Sequence, residues 1–245
     1  MTIAHRDLLD IMWQRHTCRA AFDLNRKIRE PDLQLILDAA RWAPTAHNMQ
    51  NFEIIAVDDE SRLAVISAIR LQPVETFVRE DSRRLSFSEG ELLRRRTGLL
   101  ASMFPESWQE LEAASEEDAG AASLIYLGRT IETCPLLLVV VYDDRVETPA
   151  SEGDSLGLMS LGCVMQNLWL SAENLGISMQ VLSGLGADDV EHQVQSILGI
   201  PRHLKISFAA RMGYPLAGPA SHLRVRRKIQ DFTHRNRYQL RAEQS

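Results

Sequence analysis

Twenty-two residues from Asp154 to Leu175 constrain the fold more than any other part of this sequence. The segment is apolar almost all round and rich in small residues: Gly157, Ser160, Gly162, Cys163, Ser171 and Ala172. As a helix it extends about 33 Å at ~1.5 Å per residue, the diameter of a domain. Gly176 stops it. Such a helix has to be buried on several sides, and its small residues allow close helix–helix approach, as at a subunit interface.

The other elements have to pack around that helix. Leu136 to Tyr142, the longest purely apolar run, reads as a buried strand, and Ile177–Leu182 and Phe52–Val57 read as two more. Lys205 to Tyr214 alternates, with Ile206, Phe208, Ala210 and Met212 facing one way, a half-buried strand. Helices are predicted over 5–15, with Leu8, Leu9, Met12 and Trp13 as an apolar stripe, and over 31–43, opened by Pro31 and ended by Pro44. Asp58-Asp59 caps another helix reaching about Arg70, and Asp188-x-x-Glu191 caps one ending near Gly199-Ile200-Pro201. Residues 71–131 are charged and poor in strand signals, with capping boxes at Ser88…Glu91 and Ser107…Glu110. They read as short helices forming a cap, with Arg94-Arg95-Arg96 on a solvated face. Helices mixed with fewer strands imply an α+β fold, an α/β sandwich.

Composition narrows the function. The net charge of −6 disfavours nucleic acid as a partner. No apolar run approaches the ~20 residues of a membrane span, and no signal-peptide core is evident. Three cysteines without a C-x-x-C pair fit neither a disulfide framework nor a zinc site, so no metal is expected and a reducing cytoplasm is the expected address. The charge is uneven, however: His222 to Arg241 carries seven Lys/Arg against one acid. Dinucleotide, P-loop, G-x-S-x-G and H-E-x-x-H motifs are all missing; Gly184-Leu185-Gly186 is followed by Asp at 189.

Three separated clusters remain. Arg15-His16-Thr17-Cys18-Arg19 places two guanidinium groups four residues apart with a hydroxyl between, a set suited to phosphate. Pro44 to Phe52 puts Asn48, Gln50 and Asn51 between a helix and a strand, where amides suit the edge of a heterocycle. Arg224-Val225-Arg226-Arg227-Lys228 can set Arg224 and Arg226 on one side of an extended segment. Taken singly, each also fits a bland role: a charged helix end, a polar turn, a solvated tail.

Taken in order, the clusters resemble the FMN-dependent nitroreductase family. The family's R-[RH]-[ST]-x-[RK]-x-F segment is matched by Arg15, His16, Thr17, Cys18 and Arg19. Its A-P-[ST]-x-x-N-x-Q-P-W loop is matched by Ala43, Pro44, Thr45, Asn48 and Gln50. Its late G-Y-P is matched by Gly213-Tyr214-Pro215, and its following basic segment by Arg224 and Arg226. Phe22 comes one residue late, Asn51 stands for the usual Pro, Phe52 stands for Trp, and segment 71–131 is longer than in compact members.

The resemblance implies a nitroreductase-like fold, a mixed and mostly antiparallel central sheet surrounded by helices. Residues 1–245 would form one domain, with 71–131 as a helical lid and 216–245 as a C-terminal arm exchanged in a homodimer. It further implies that Arg15, Thr17 and Arg226 hold the FMN phosphate, with His16 at the phosphate or ribityl chain and Arg224 beside the flavin. Arg19 would face the pyrimidine edge, Asn48 would bond its polar atoms with Gln50 nearby, and Ser183 and Gly184 would present backbone N–H groups. No side chain would be catalytic. NAD(P)H would reduce FMN, and an electron-poor nitroaromatic, quinone or enone would then be reduced in ping-pong order. Same-fold alternatives are a flavin destructase, a dehalogenase, an azoline dehydrogenase and a non-catalytic flavin-storing protein.

Overall fold

The apolar run at 136–142 is the second strand of a four-stranded sheet. The computed structural model describes residues 7–69, 86–103, 128–216 and 223–238. In chain order the elements are α1 (Leu8–Gln14), α2 (Glu30–Arg41), β1 (Glu53–Val57), α3 (Glu60–Ser67), β2 (Ser86–Phe87), α4 (Glu89–Arg95), β3 (Leu99–Leu100), β4 (Leu136–Asp143), α5 (Ser155–Asn174), β5 (Ser178–Leu182), α6 (Asp188–Leu198) and β6 (Leu204–Gly213). They divide between two compact units: residues 1–72 with 124–219, and residues 73–123 with 220–245.

In the first unit the sheet order is β1-β4-β6-β5, with every neighbour antiparallel. Residues alternate between two apolar layers. Leu136, Leu138 and Val140 meet Ile36 and Ala40 of α2 and Leu161, Val164, Leu168 and Ala172 of α5. Leu137, Val139 and Val141 meet Leu63 and Ile66 of α3 and Val190 and Val194 of α6. The architecture is therefore helix–sheet–helix, α+β as expected.

Tertiary packing overrules the sequence pattern at four places. The alternation predicted for β6 breaks because Val140 pairs with Phe208 but Val141 with Ile206, leaving Ser207 as a bulge. Ile206 consequently joins the α3/α6 layer, opposite Phe208, Ala210 and Met212. The strand is buried on both faces rather than half-buried, being central in the sheet. The Asp188-x-x-Glu191 cap does not form: Ala187 is the N-cap of α6, and Glu191 turns inward to accept from Ile206 N at 2.6 Å and Lys205 Nζ at 3.1 Å.

The other two differences concern the helices around the core. α5 buries one side only, leaving Leu158 and Met159 exposed. The α1 stripe of Leu8, Leu9, Met12 and Trp13 is also exposed, and Ile11 is the residue that enters the core.

In the second unit, Ser88 and Glu91 form the expected capping box of α4, and β2 pairs with β3 in parallel, a short strand pair that the sequence reading did not foresee. Arg95 lies over the Phe87 ring at 4.6 Å. The Ser107…Glu110 box lies outside the described residues.

Cys134 is buried beside β4, its Sγ–H donating to Leu136 O at 2.7 Å, and burial pushes the thiol up to about 11. Its folded value exceeds the ordinary value of 9.0, so the stability it contributes is full below that pH and is lost as pH rises toward about 11. At pH 8 native Cys134 is expected to resist iodoacetamide while the denatured chain is alkylated. Rapid labelling of the native thiol would contradict its burial.

Candidate functional site

Arg15 ends α1 as its C-cap, and the chain then runs extended beside β5. Thr17 bridges Met179 in parallel register, and Cys18 N donates to Met179 O at 3.1 Å. Cys18 points inward, 5% exposed, so alternation turns Thr17 and Arg19 to the opposite face. The Arg15 guanidinium stacks 4.3 Å over the Trp169 ring of α5. His16 Nδ1 lies 3.0 Å from Gln14 O, a bond that requires the ring proton on Nδ1.

The 45–51 loop is held differently. His47, Asn48 and Gln50 all have positive φ, at 50°, 54° and 49°, a conformation that costs non-glycine residues about 1 kcal/mol or more each. Several bonds keep it there. Ala46 N donates to Ser160 Oγ at 3.0 Å, Gln50 N to Thr45 Oγ1 at 3.1 Å, and Gln50 Nε2 to Asn48 Oδ1 at 3.3 Å. Asn51 accepts from Asp143 N at 3.0 Å and donates to Asp143 O at 2.9 Å, tying the loop to the end of β4. A proline could not make these bonds, so the departure at position 51 has a structural function here. Arg145 bonded to the Asp143 carboxylate holds that carboxyl well below its usual range. Asn51→Ala is expected to lower stability by about 1–2 kcal/mol by removing both bonds, read as a lower urea midpoint with unchanged slope. An unshifted midpoint would show that the clamp contributes nothing.

α5 separates the two clusters. Trp169 follows Ser160 by nine positions, so the two leave the helix on opposite flanks, about 13 Å apart along its axis. Along the Ser160 flank, Asn167 Nδ2 donates to Ala39 O at 2.8 Å and Ser171 Oγ to Leu35 O at 3.4 Å, seating α2. The anchors of the Arg15 segment and the Asn48 loop are therefore not brought together within one chain.

Ser183, exposed, and Gly184 follow β5 and lead into a 3₁₀ turn in which Gly186 N donates to Ser183 O at 3.1 Å. Gly186 is required there because an added Cβ would meet Ile206 O at 2.8 Å. In the second unit Arg224 and Arg226 are exposed and alternate with half-buried Leu223 and Val225, the pattern expected of an extended segment.

Sequence reading missed Trp169 as the platform for Arg15, Ser160 as the anchor of the loop, and the clamp formed by Asn51. Among the described residues no group of three or more His, Cys, Asp or Glu is placed to hold a metal. No helix of the described residues is long and apolar enough to cross a membrane.

Comparison with known proteins gives a consistent picture. A sequence profile described as the nitroreductase family matches residues 12–214. A nitroreductase with bound FMN from Desulfitobacterium hafniense superposes with a TM-score of 0.61 at 19% identity, covering 94% of this chain and 98% of that one. Another with bound FMN, from Bacteroides fragilis, gives 0.56 at 20% identity over 94% and 99%. Nitroreductase A from Vibrio parahaemolyticus gives 0.61 at 18% identity over 97% and 79%. A CLA biosynthesis enone reductase from Lactiplantibacillus plantarum is 39% identical over 56 residues, a match spanning 23% of this chain and only 25% of that protein.

Proposed function

Because the chain belongs to the nitroreductase family, we propose that it is an FMN-dependent oxidoreductase using NAD(P)H to reduce an electron-poor acceptor. The observation that carries this reading is the shared outward face of Thr17 and Arg19, fixed by the pairing of Thr17 and Cys18 with Met179 and preceded by Arg15 on its Trp169 platform. Two guanidinium groups and a hydroxyl fit a phosphate and an anionic heterocycle edge. FMN, when bound, supplies the redox chemistry, taking hydride from NAD(P)H and passing it to a nitroaromatic, quinone or enone in ping-pong order.

The chain's own residues bind and orient. Arg15 and Thr17 hold the phosphate, with His16 at the phosphate or ribityl chain. Arg19 places a fixed positive charge at the pyrimidine edge, and Asn48, with Gln50 next to it, bonds the polar ring atoms. Ser183 and Gly184 offer backbone N–H groups.

A homodimer completes this site. The separation of the Arg15 and Asn48 anchors across α5 is resolved if two chains each contribute one cluster to a flavin. Exposed Leu8, Leu9, Met12 and Trp13 on α1 and Leu158 and Met159 on α5 supply an apolar face for that pairing. Three free thiols, Cys18, Cys134 and Cys163, fit a reducing cytoplasm. Among acceptors, the short match to an enone reductase favours an activated enone.

The test is purification with FMN followed by stopped-flow mixing with NADH and NADPH. Bleaching of the bound flavin, then recovery on adding menadione, a nitroaromatic or an enone, is expected. A protein that ignores FMN sinks the reading. One that binds FMN but is reduced by neither nucleotide is instead a storage protein or a same-fold enzyme of other chemistry.

A further inference from the structure

β6 carries one charged residue between Ala210 and Met212, and it is among the most deeply buried side chains described: Arg211 is 1% exposed. Its Nε donates to Gln180 Oε1 at 2.8 Å, and Nη1 donates to Thr130 O at 3.3 Å and Thr133 Oγ1 at 3.4 Å. Nη2 donates to Cys18 O at 3.1 Å and Ala20 O at 2.7 Å. The guanidinium also lies 4.4 Å from the centre of the Phe22 ring. Ion burial of this kind is costly unless the donors are satisfied, and a hydrophobic residue in β6 would serve packing alone at lower cost.

What sets the arrangement apart is where Nη2 goes. Its two acceptors are the carbonyls of the residues immediately before and after Arg19, so the Cys18–Arg19 and Ala20–Ala21 peptide planes that bracket it are fixed. Nearby bonds fix the flanks: Cys18 N to Met179 O, Phe22 N to Thr133 O at 3.3 Å, and Asp23 N to Tyr214 O at 2.8 Å. Arg19, half-buried, draws no side-chain hydrogen bond or ion pair from the described residues, so what the fold fixes is the direction in which its Cα–Cβ bond leaves the backbone. Gly213 keeps the space open: a Cβ there would come within 2.8 Å of both Phe22 Cγ and Pro135 Cγ.

We propose that Arg211 is a positioning residue for the cofactor segment, acting through Arg19: it locks the backbone on either side of Arg19 so that this side chain meets the bound ring in one orientation. The role rests on the FMN reading above. Lysine keeps the charge but not the planar fork, and cannot reach Gln180, Thr133 and both carbonyls together.

The experiment is a double-mutant cycle on the full-length protein, with Arg19→Ala, Arg211→Lys and both together. FMN affinity is read by quenching of flavin fluorescence, and the midpoint potential of the bound flavin by dye equilibration. Arg211→Lys is expected to weaken FMN about tenfold and to shift the potential in the same direction as Arg19→Ala. The double variant should be no worse than Arg19→Ala alone. Additive losses, or an unchanged potential in Arg211→Lys with wild-type binding intact, would overturn the proposal and leave Arg211 a packing residue. Failure of the wild type to bind FMN would overturn the FMN reading and this role with it. If Arg211→Lys does not fold, Gln180→Met leaves the charge in place and loosens one end of the fork, and the same non-additivity with Arg19→Ala decides the matter.

Discussion

Arg15→Ala is expected to lower FMN affinity about 100-fold. A charge-assisted bond to phosphate is worth roughly 1.5–3 kcal/mol, and each 1.4 kcal/mol is about a factor of ten. The direction of Arg15 depends on its place as the C-cap of α1 and on the stack 4.3 Å over Trp169. The stack also makes lysine a poor replacement: an ammonium neither lies flat on an indole nor presents two parallel donors, so Arg15→Lys should recover only part of the loss. The measurement is a fluorescence titration of the apoprotein with FMN at two salt concentrations. A true phosphate ligand loses affinity and part of the salt dependence together. An unaltered constant in Arg15→Ala would mean that Arg15 serves the α1–α5 contact only.

The largest expected effect on stability is at Leu138. It is fully buried in β4, paired with Ala56 of β1 on one side and Ala210 of β6 on the other. Those two alanines leave the space across the sheet to be filled by Leu138, which meets α2 and α5 above it. Leu138→Ala would set three alanines in a row across the sheet beneath α2 and α5. A cost of about 3–5 kcal/mol is expected, seen as a lower urea midpoint with the slope preserved. A loss under about 1 kcal/mol would show that the helices settle onto the sheet and that the layer is not close-packed.

The elements were largely legible in the sequence because local rules decide them. Asp59 caps α3 with its carboxylate, Gly199 ends α6 at φ 68°, and Gly176 follows α5 at φ 72°. Apolar and β-branched runs placed β1, β4 and β5, and the order of the motifs identified the family later matched over residues 12–214. The candidate segments at 15–19 and 44–52 were visible because polar clusters stand out between apolar elements.

What only the tertiary structure decided is which surfaces those elements share. A helix reads as apolar all round whether neighbours cover one flank or several, so sequence could not foresee that Leu158 and Met159 lie exposed. One extra residue at Ser207 reverses the side on which Ile206 lies, and that depends on the register of a strand sixty residues away. The glutamate read as a helix cap was drawn instead to an inward backbone N–H. Nothing local in the sequence marks Arg211; its partners Cys18 and Ala20 lie nearly two hundred residues earlier. Sequence encodes propensity and pattern within a few turns of chain. Partners distant along the chain are chosen by close packing and by the need to satisfy every buried polar group, and these operate only once the layers have met.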